Sequence, residues 1–365
     1  MIIPVDTLKL SNKVLFITHL AIGDFTYLYN FFLAFKKAYP HLEIHIWVDE
    51  LRRTKDHRKW SGLKRYVLYD WLKSCSMFDR VYDQTYSPQL LKQSIIAARG
   101  QAYPLVISLA TLRPHFYASL ARKISPHGYL VGMAKKTGFF CWWRRFAYQK
   151  LNTHFPRFVW NEESQYHVTD IYNQWFSALG VRRLELMERY PQIEIPRVWL
   201  SDAQTQVTSW SFDPRVKRLL FINCFAKTPK RSWPLDSMVT LIEAIRARDS
   251  DVSWGFVVNA IPEESSNIQR LIDARGIEQT RVFSANSNFF QLPAMLAQCK
   301  LIVSVETSIM HLANAVGVPV IALMRQKNPE WVPIDRSNSV VLFASQRRGW
   351  VKSIPPNQVL DLVPL

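Results

Sequence analysis

The sequence predicts an α/β protein made of two domains, each built around a parallel β-sheet. Short runs of β-branched and aromatic residues alternate along the chain with longer helix-like segments, which is the pattern of repeated βαβ units. The 365 residues are too many for one ordinary core and suit two. The composition is 48% hydrophobic and 21% charged, as in folded soluble proteins, so extensive disorder is excluded.

The first half opens with a strand, a loop that contains Gly23 and Asp24, and a helical run that Pro40 ends. Strands are predicted at 13–18, 43–50, 80–82 and 105–109. The loop after the first strand is not G-x-G-x-x-G, so a dinucleotide fingerprint is absent. Asp24 has two interpretations, a helix N-cap or a catalytic base at the ligand-binding end of the sheet.

The second half repeats the same pattern after a proline-containing stretch at 188–200, which we interpret as the interdomain linker. Strands are predicted at 218–226, 252–260, 281–284, 301–305 and 318–324. We expect an N-terminal domain at 1–190 and a C-terminal domain at 200–345. We expect residues 346–365 to form a closing helix that packs back toward the N-terminal domain.

Basic residues exceed acidic ones by 46 to 29, and the net charge of +17 indicates a polyanionic partner. The four cysteines are scattered without paired spacing, which argues against a disulfide framework and a zinc site. No apolar run reaches the ~18 residues of a spanning helix, and the N-terminus lacks the pattern of a secretory signal. We therefore expect a cytoplasmic protein, or one that lies against a membrane.

Two segments concentrate the positive charge. Residues 51–66 contain seven Lys or Arg and one Asp, and form either a solvated face or an anion-binding loop around Trp60. Residues 134–150 interleave five basic residues with six aromatic ones and contain no acid. This second segment fits a bilayer interface, a surface that stacks nucleic-acid bases, or a partly buried helix.

Polar residues follow two strands of the second half, where open α/β sheets bind ligands. Glu306, Thr307 and Ser308 come directly after the strand at 301–305, and His311 lies one turn into the next helix. Another strand-to-helix loop, Lys227–Trp233, carries several cations and could hold a phosphate at a helix N-terminus. Alternatively, its lysines are ordinary surface residues and His311 is a buried polar residue beneath the site.

Three motifs together resemble the ADP-heptose:lipopolysaccharide heptosyltransferases, family 9 of the glycosyltransferases. They are the Gly-Asp loop after the first strand, the KRSWP loop, and ETSIMHLANAVGVPVIAL. The family typically shows K-x-W-P or K-R-W-P, and D-T-G-x-x-H-x-A-x-A-x-x-x-P. The match runs in the right order over nearly the whole chain.

The resemblance implies a GT-B fold, in which two Rossmann-like domains face each other across a cleft, and an inverting transfer. No metal cluster is visible in the sequence and the cations can replace one, so we expect no cofactor and no obligatory metal. The first domain would bind the acceptor and the second the nucleotide sugar. By position, Asp24 matches the general base that takes the proton of the acceptor hydroxyl. The implied donor-binding residues are Lys230, Arg231, Thr307 and Ser308 for the phosphates, and Glu306, His311, Glu263 and Glu264 for the sugar or nucleoside.

The resemblance also gives the positive charge a purpose, because lipid A and inner-core sugars carry phosphates and carboxylates. We expect the acceptor domain to hold this anionic lipopolysaccharide at the cytoplasmic face of the inner membrane. The candidate anion-binding residues are Arg52, Arg53, Lys64, Lys135, Lys136, Arg144 and Arg145.

Two departures from the family pattern bear on which sugar is transferred. Glu306 stands where Asp is usual, and Ser308 where Gly is usual. The extra methylene of Glu306 could select another sugar. The expected function is transfer of heptose from ADP-heptose to the lipopolysaccharide inner core. The alternatives are a family 9 transferase with another nucleotide sugar, and a non-catalytic protein that binds nucleic acid or a membrane or scaffolds other enzymes.

Overall fold

The computed structural model describes residues 1–64, 67–158, 166–248, 254–346 and 349–364. Two compact units divide the chain between Arg189 and Tyr190, except that residues 166–168 belong with the second unit. The end of the basic segment 51–66, Arg65 and Tyr66, lies outside the described residues, as do parts of the predicted domain ranges at 159–165, 249–253, 347–348 and 365.

The first unit is built on a parallel sheet that has six strands among the described residues, in the order β3-β2-β1-β4-β5-β6. The strands are β1 Lys13–Thr18, β2 Glu43–Val48, β3 Arg80–Tyr82, β4 Leu105–Ser108, β5 Tyr129–Gly132 and β6 Thr153–His154. The helices are α1 Val5–Leu10, α2 Ile22–Ala38, α3 Trp60–Lys64, α4 Leu68–Ser74, α5 Pro88–Arg99, α6 Pro114–Ile124, α7 Arg144–Tyr148 and α8 Val168–Ala178. The central strand β1 is buried from Val14 to Thr18, as expected where helices cover both faces of a sheet.

An aromatic cluster fixes α2 and α8 against β1. The ring of Phe16 on β1 meets those of Phe32 and Phe35 on α2 edge-on, each at 5.1 Å between centroids. Phe176 on α8 lies 5.5 Å from Phe32. Such buried rings contribute a large apolar area and a specific geometry. They hold the start of α2, which carries Asp24, and α8, which carries Tyr172, in fixed positions.

The second unit repeats the architecture, with six parallel strands among the described residues in the order β12-β11-β10-β7-β8-β9. The strands are β7 Arg218–Asn223, β8 Trp254–Asn259, β9 Thr280–Phe283, β10 Leu301–Val305, β11 Val320–Met324 and β12 Ser339–Phe343. The helices are α9 Arg197–Ser209, α10 Leu235–Arg248, α11 Ser265–Ala274, α12 Gln291–Leu296, α13 Ser308–Ala315 and α14 Pro356–Leu360. β10 lies between β7 and β11, so the loops after these three strands share one edge of the sheet.

The C-terminal segment belongs to the second unit. Helix α14 packs on α10, and Val359 and Val363 are buried in the core of this unit together with Trp233. The packing of this segment toward the N-terminal domain stays a prediction; within its own unit, its two valines lie in the C-terminal core. The physical reason is local, because α10 offers an apolar face that a two-valine tail can cover.

The predicted strands form, with ends that differ by a few residues, but several elements were not predicted. These include β5, β6 and β12 at the outer parts of the sheets, where short strands give little periodicity. The second part of the predicted linker was wrong, because α9 begins at Arg197 directly after Pro196. In residues 134–150 the structure has a 3-10 turn at Phe139–Cys141 and the short helix α7. Among the described residues, none of the helices is both long and apolar enough to cross a membrane.

Candidate active site

A network of polar side chains connects the carboxyl ends of three neighbouring strands in the second unit. Asn223, the last residue of β7, is buried and its Nδ2 donates to Ser304 Oγ at 3.1 Å and to Thr307 Oγ1 at 3.2 Å. Its Oδ1 accepts from Asn259 Nδ2, at the end of β8, at 2.9 Å. Buried polar groups joined in this way hold one another in fixed orientations. The network sets the position of the turn that leads into α13.

Glu306 lies in that turn as a buried carboxylate that contacts two arginines. Arg325 approaches it with two nitrogens, Nε at 3.1 Å from Oε2 and Nη2 at 3.2 Å from Oε1. Arg231 Nη2 lies 3.3 Å from Oε1 and donates to the backbone carbonyl of Glu306 at 2.6 Å. The three groups together carry a charge of +1, because one carboxylate faces two guanidinium ions. The carboxylate of Glu306 therefore takes part in two ion pairs.

The start of α13 adds backbone donors at the same edge. Thr307 is the N-cap, and its Oγ1 accepts from the backbone N–H of Ile309 at 3.3 Å. Ser308 is the first residue of the helix and is partly exposed. The first N–H groups of a helix have no partner within the helix and lie at the positive end of its dipole. An anion beside Ser308 would therefore meet these donors as well as Arg231 and Arg325.

The KRSWP loop is anchored by its tryptophan. Trp233 is buried, its Nε1 donates to the carbonyl of Ile354 at 2.9 Å, and its backbone N–H donates to the carbonyl of Cys224 at 2.9 Å. This anchor directs Arg231 toward Glu306. Lys230 points elsewhere, with its Nζ 4.8 Å from the centre of the Trp350 ring, a cation–π contact. Of these two cations, Arg231 therefore contacts Glu306, whereas Lys230 contacts the Trp350 ring instead.

His311 lies one turn into α13 and is buried. Burial first, and then the positive charge of nearby His167, lower the pKa of His311 to about 3. The ring is therefore neutral at physiological pH, and its centre lies 6.0 Å from that of Trp331. A neutral imidazole can still donate or accept one hydrogen bond at each nitrogen, but it adds no positive charge to that of Arg231 and Arg325.

Glu263 and Glu264 follow β8 at the same edge of the sheet and are exposed. Glu264 precedes α11, and its Oε2 accepts from Asn267 Nδ2 at 3.0 Å. The pair is thus accessible to a ligand but separate in its contacts from the network around Asn223.

Asp24 lies in the first turn of α2 in the first unit, and Ala21 occupies the N-cap. Its Oδ2 accepts from the backbone N–H of Ala21 at 3.1 Å, and its Oδ1 accepts from the hydroxyl of Tyr172 at 3.3 Å. Burial raises the pKa of Asp24, and the two hydrogen bonds oppose this effect only in part. Burial, then the nearby Asp24, keep the pKa of Tyr172 well above its usual range, so the phenol remains a donor.

Two further acids follow β2 and bind the predicted anion-binding arginines. Asp49 pairs with Arg53 and accepts from the Tyr117 hydroxyl at 3.0 Å, and burial raises its pKa. Glu50 forms two hydrogen bonds of 2.8 Å with the Arg52 guanidinium. Burial alone would raise the pKa of Glu50, but the Arg52 contacts outweigh it and the pKa lies below its usual range. Arg52 and Arg53 thus balance internal carboxylates.

The other predicted anion-binding residues lie on the surface. Lys64 is exposed at the end of α3, and Lys135 and Lys136 are exposed in the loop after β5. Arg145 is exposed on α7, and the partly exposed Arg144 lies with its guanidinium carbon 5.3 Å from the centre of the Trp143 ring. In the part of the chain that the structure describes, no group of three or more His, Cys, Asp or Glu residues could hold a metal ion.

A family model described as glycosyltransferase family 9 (heptosyltransferase) matches residues 102–352, a range that includes the KRSWP loop, Glu306 and α13. The chain belongs to glycosyltransferase family 9. The resemblance noted in the sequence is confirmed, and this chain is a glycosyltransferase. No match was found among curated proteins.

Solved structures show that this family 9 glycosyltransferase has the predicted GT-B fold. A family 9 glycosyltransferase from Veillonella parvula superposes with a TM-score of 0.71 at 17% identity, over 96% of this chain and 95% of that one. For E. coli ADP-heptose lps heptosyltransferase II the TM-score is 0.66 at 16% identity, over 96% of each chain. For E. coli heptosyltransferase WaaC with ADP-2-deoxy-2-fluoro heptose it is 0.61 at 18% identity, over 96% and 98%.

Sequence reasoning did not identify several residues of the candidate site of this glycosyltransferase. Arg325 directly follows β11, and Asn223 and Asn259 end β7 and β8. A rule that inspects every polar residue at the carboxyl end of a parallel strand would have found these three. Tyr172 gave no such signal, because it lies within α8 and meets Asp24 only through the packing of α8 on α2.

Proposed function

We propose that this chain is an inverting glycosyltransferase that moves a heptose from ADP-heptose to the inner core of lipopolysaccharide, with Asp24 as the general base. The observation that carries the proposal is the positive cluster at the carboxyl edge of the second sheet, where Arg231, Arg325 and the start of α13 converge. A nucleoside diphosphate is the anion that suits such a cluster in a family 9 glycosyltransferase.

The cluster can stabilise the leaving diphosphate. Arg231 already has Nη2 on the carbonyl of Glu306, whereas its buried Nε has no acceptor within the described part of the chain. A phosphate oxygen would satisfy this donor. As the bond from the sugar to the diphosphate breaks, negative charge moves onto the phosphate oxygens, and fixed cations and N–H groups stabilise it without reorganising. These cations can replace a metal ion, so we propose that the reaction needs no cofactor.

Asp24 can take the proton from the acceptor hydroxyl. The hydrogen bonds from Ala21 and Tyr172 orient its carboxylate, and burial brings its pKa closer to neutrality, which makes it a stronger base than an exposed aspartate. The hydroxyl oxygen forms the new bond to the anomeric carbon while the diphosphate leaves with the electron pair on the opposite side. Attack opposite the leaving group inverts the anomeric configuration.

One observation favours a second candidate, a family 9 transferase that uses another nucleotide sugar. In the family pattern an aspartate stands at position 306, and its role is to meet sugar hydroxyls. Here the carboxylate of Glu306 accepts from Arg325 and forms an ion pair with Arg231 instead. A donor sugar would therefore face guanidinium groups next to the carboxylate, which suits a sugar with an acidic or strongly accepting substituent.

We also propose that the acceptor is an anionic lipopolysaccharide at the cytoplasmic face of the inner membrane. The net charge of +17 and the exposed cations of the first unit, Lys64, Lys135, Lys136 and Arg145, support this assignment. Arg52 and Arg53 contribute less than the sequence analysis expected, because each is paired with a carboxylate of its own unit.

Transfer assays with a panel of donors test the proposal. Purified protein is incubated with ADP-heptose, UDP-sugars or GDP-sugars and with lipopolysaccharide that either lacks or contains heptose, and products are identified by mass spectrometry. We expect transfer from ADP-heptose to the heptose-deficient acceptor, and transfer at least about 100-fold slower by the Asp24→Asn variant. Transfer only from another donor would support the second candidate. The absence of product with every donor, together with no thermal stabilisation by any of them, would reject both.

A further inference from the structure

The first unit exposes a cluster of large aromatic side chains that its proposed chemistry does not use. Phe140 is 93% exposed, Trp142 and Phe146 are each 58% exposed, and Trp143 is 49% exposed. We call these four residues the aromatic surface. Single exposed apolar residues are common, but four exposed large aromatic residues within positions 140–146, two of them in ring contact, indicate an interaction site.

The aromatic surface is held in place by its own unit. Helix α7 is attached through the buried Ala147, and the partly buried Tyr148 and buried Leu151 pack in the core beneath β4 and β5. The rings of Trp142 and Phe146 lie 5.6 Å apart, which places them on one side of the turn. Since the segment is anchored at several points, the rings are presented to solvent without a large ordering cost on binding.

Trp143 is fixed from the neighbouring helix. Its ring meets that of His115, on α6, edge-on at 5.2 Å, and the guanidinium of Arg144 lies over it. Helix α6 also carries Phe116, which is itself exposed. The apolar surface therefore continues from α7 onto the beginning of α6.

The charge around the aromatic surface has one sign. Lys135, Lys136, Arg145 and Lys150 are exposed within residues 134–150, and this segment contains no acidic residue. Aromatic rings favour the headgroup level of a bilayer, and each cation near an anionic membrane contributes about 1 kcal/mol of attraction. Rings with surrounding cations therefore complement an anionic lipid surface more closely than an apolar protein partner.

The position of the segment relates it to Asp24. It leaves the carboxyl end of β5, and β5, β4 and β1 run parallel in the sheet. Asp24 follows the carboxyl end of β1, so both features lie at the same edge of the first unit. A membrane bound at this edge would present its headgroups on the side of the unit where the proposed base lies.

We propose that residues 134–150 are the membrane-docking surface of this enzyme, with Phe140, Trp142 and Phe146 inserted among the headgroups of an anionic bilayer and the flanking lysines and arginines on its phosphates. The orientation of the acceptor toward Asp24 rests on the function proposed above, whereas the docking does not.

Vesicle sedimentation tests the docking. The full chain is mixed at 150 mM NaCl with vesicles of phosphatidylcholine alone, or of phosphatidylcholine with 30% phosphatidylglycerol. We expect binding to the anionic vesicles, at least tenfold weaker binding by Phe140→Ala/Trp142→Ala/Phe146→Ala, and about fivefold weaker binding for each cation removed from Lys135 and Lys136. Vesicles with brominated acyl chains should quench tryptophan fluorescence of the wild type more than that of Trp142→Phe/Trp143→Phe.

A matched control comes from α5, where Ile96 is 63% exposed between the exposed Lys92 and Arg99. The variant Lys92→Ala/Ile96→Ala/Arg99→Ala removes two cations and an apolar side chain from another surface. It should bind vesicles as the wild type does, with every variant melting within a few degrees of it. Equal losses for the α5 variant and the aromatic variant would overturn the proposal.

Other occupants of the surface give different outcomes. Binding to oligonucleotides that competes fully with anionic vesicles and depends on Trp142 would overturn the proposal in favour of nucleic acid. Self-association that disappears in the aromatic variant, with vesicle binding unchanged, would overturn it in favour of a second copy of the chain.

A transfer assay separates this proposal from the function on which part of it rests. The aromatic variant should lose transfer to acceptor embedded in vesicles and keep transfer to a water-soluble acceptor fragment. Vesicle binding that needs the aromatic surface, in a protein that transfers no sugar at all, would reject the function and support the docking. Transfer to embedded acceptor that is unchanged in the aromatic variant would reject the docking and support the function.

Discussion

The two units share one architecture but place different functional groups at the carboxyl edges of their sheets. In the first unit the groups after β1 and β2 are the carboxylates Asp24, Asp49 and Glu50. In the second, two guanidinium groups surround one carboxylate. The comparison shows that a parallel sheet fixes where a site lies, and that the residues following each strand decide its chemistry.

The two edges also differ in the groups that contact the carboxylates of Asp24 and Glu306. Asp24 accepts from neutral donors, a backbone N–H and a phenol, so burial dominates and its pKa rises. Glu306 is contacted by two cations. The first arrangement keeps a carboxylate basic, whereas the second uses a carboxylate to position cations. We therefore expect the base of the proposed reaction in the first unit and the diphosphate contacts in the second.

The largest expected effect is at the basic carboxylate. Asp24→Asn should lower the transfer rate by about 10²- to 10⁴-fold, because the amide cannot accept the acceptor's proton. Donor affinity, measured by calorimetry, should stay within about twofold, since the donor contacts lie in the other unit. If the Asp24→Asn variant kept the wild-type transfer rate, Asp24 would not be the base, and the difference in role between the two units would be rejected.

The next effect is on the cationic edge. Arg231→Ala should weaken binding of the nucleotide sugar by about 10- to 100-fold, because one charge-assisted contact to phosphate is lost. Arg231→Lys should lie in between, since it keeps the charge without the planar fork. Arg270→Ala, which removes an exposed cation from α11, is the matched control and should bind the donor normally. Equal affinities for all three variants would show that the cluster does not hold the phosphates.

The ion pair within the cationic edge is tested by stability. Arg325→Ala should lower the free energy of unfolding by about 1.5–3 kcal/mol, because the buried Glu306 carboxylate loses its two-nitrogen partner. Glu306→Gln/Arg325→Ala should recover part of this loss, since the uncompensated charge is gone. Urea denaturation at pH 7.5 measures both. Identical losses in the single and double variants would show that the pair is not coupled.

His311 gives the second unit a defined pH dependence. Its pKa is about 3 when folded and about 6.5 when unfolded, so the unfolded chain binds more protons between these values. Stability is complete above pH 6.5 and falls as the pH decreases toward 3. Between pH 7 and pH 5 the loss from this group is about 2 kcal/mol. In His311→Gln, urea denaturation at the two pH values should show a fall smaller by that amount; an unchanged fall would contradict the burial argument.

The smallest effect is at Tyr172. Its hydroxyl favours the ionised form of Asp24, so Tyr172→Phe should raise the pKa of Asp24 further. The acid limb of the pH–rate profile should move to higher pH, with a loss at neutral pH of no more than about tenfold. A limb that moves to lower pH would show that another group governs it. Phe31→Leu, which alters packing against the same ring, controls for a purely structural effect.

The fold was predictable from the sequence because strongly periodic segments allow few alternative assignments of helix and strand. The runs at 13–18 and 301–305 are continuous apolar strands, and the helix-like stretches between strands require parallel connections. It also found Asp24 at the first edge, and Glu306, Arg231 and the start of α13 at the second. It did not find Arg325 or Tyr172, whose partners lie far away in the sequence. It also expected Arg52 and Arg53 to be available to a ligand, although each pairs with a carboxylate in the same turn. Neither kind of contact leaves a periodic pattern in the sequence.

By itself, the sequence determined the two-unit α/β class and the strand ends that carry polar groups, since both follow from local pattern, and it indicated the family through the resemblance of its three motifs. Only the tertiary structure decided which charges are already paired. It placed Arg325 on Glu306 and Tyr172 on Asp24. It also left the rings of 134–150 in solvent although their pattern allowed burial. Pairing and exposure depend on which surfaces meet when the chain packs, and contacts between distant residues set them.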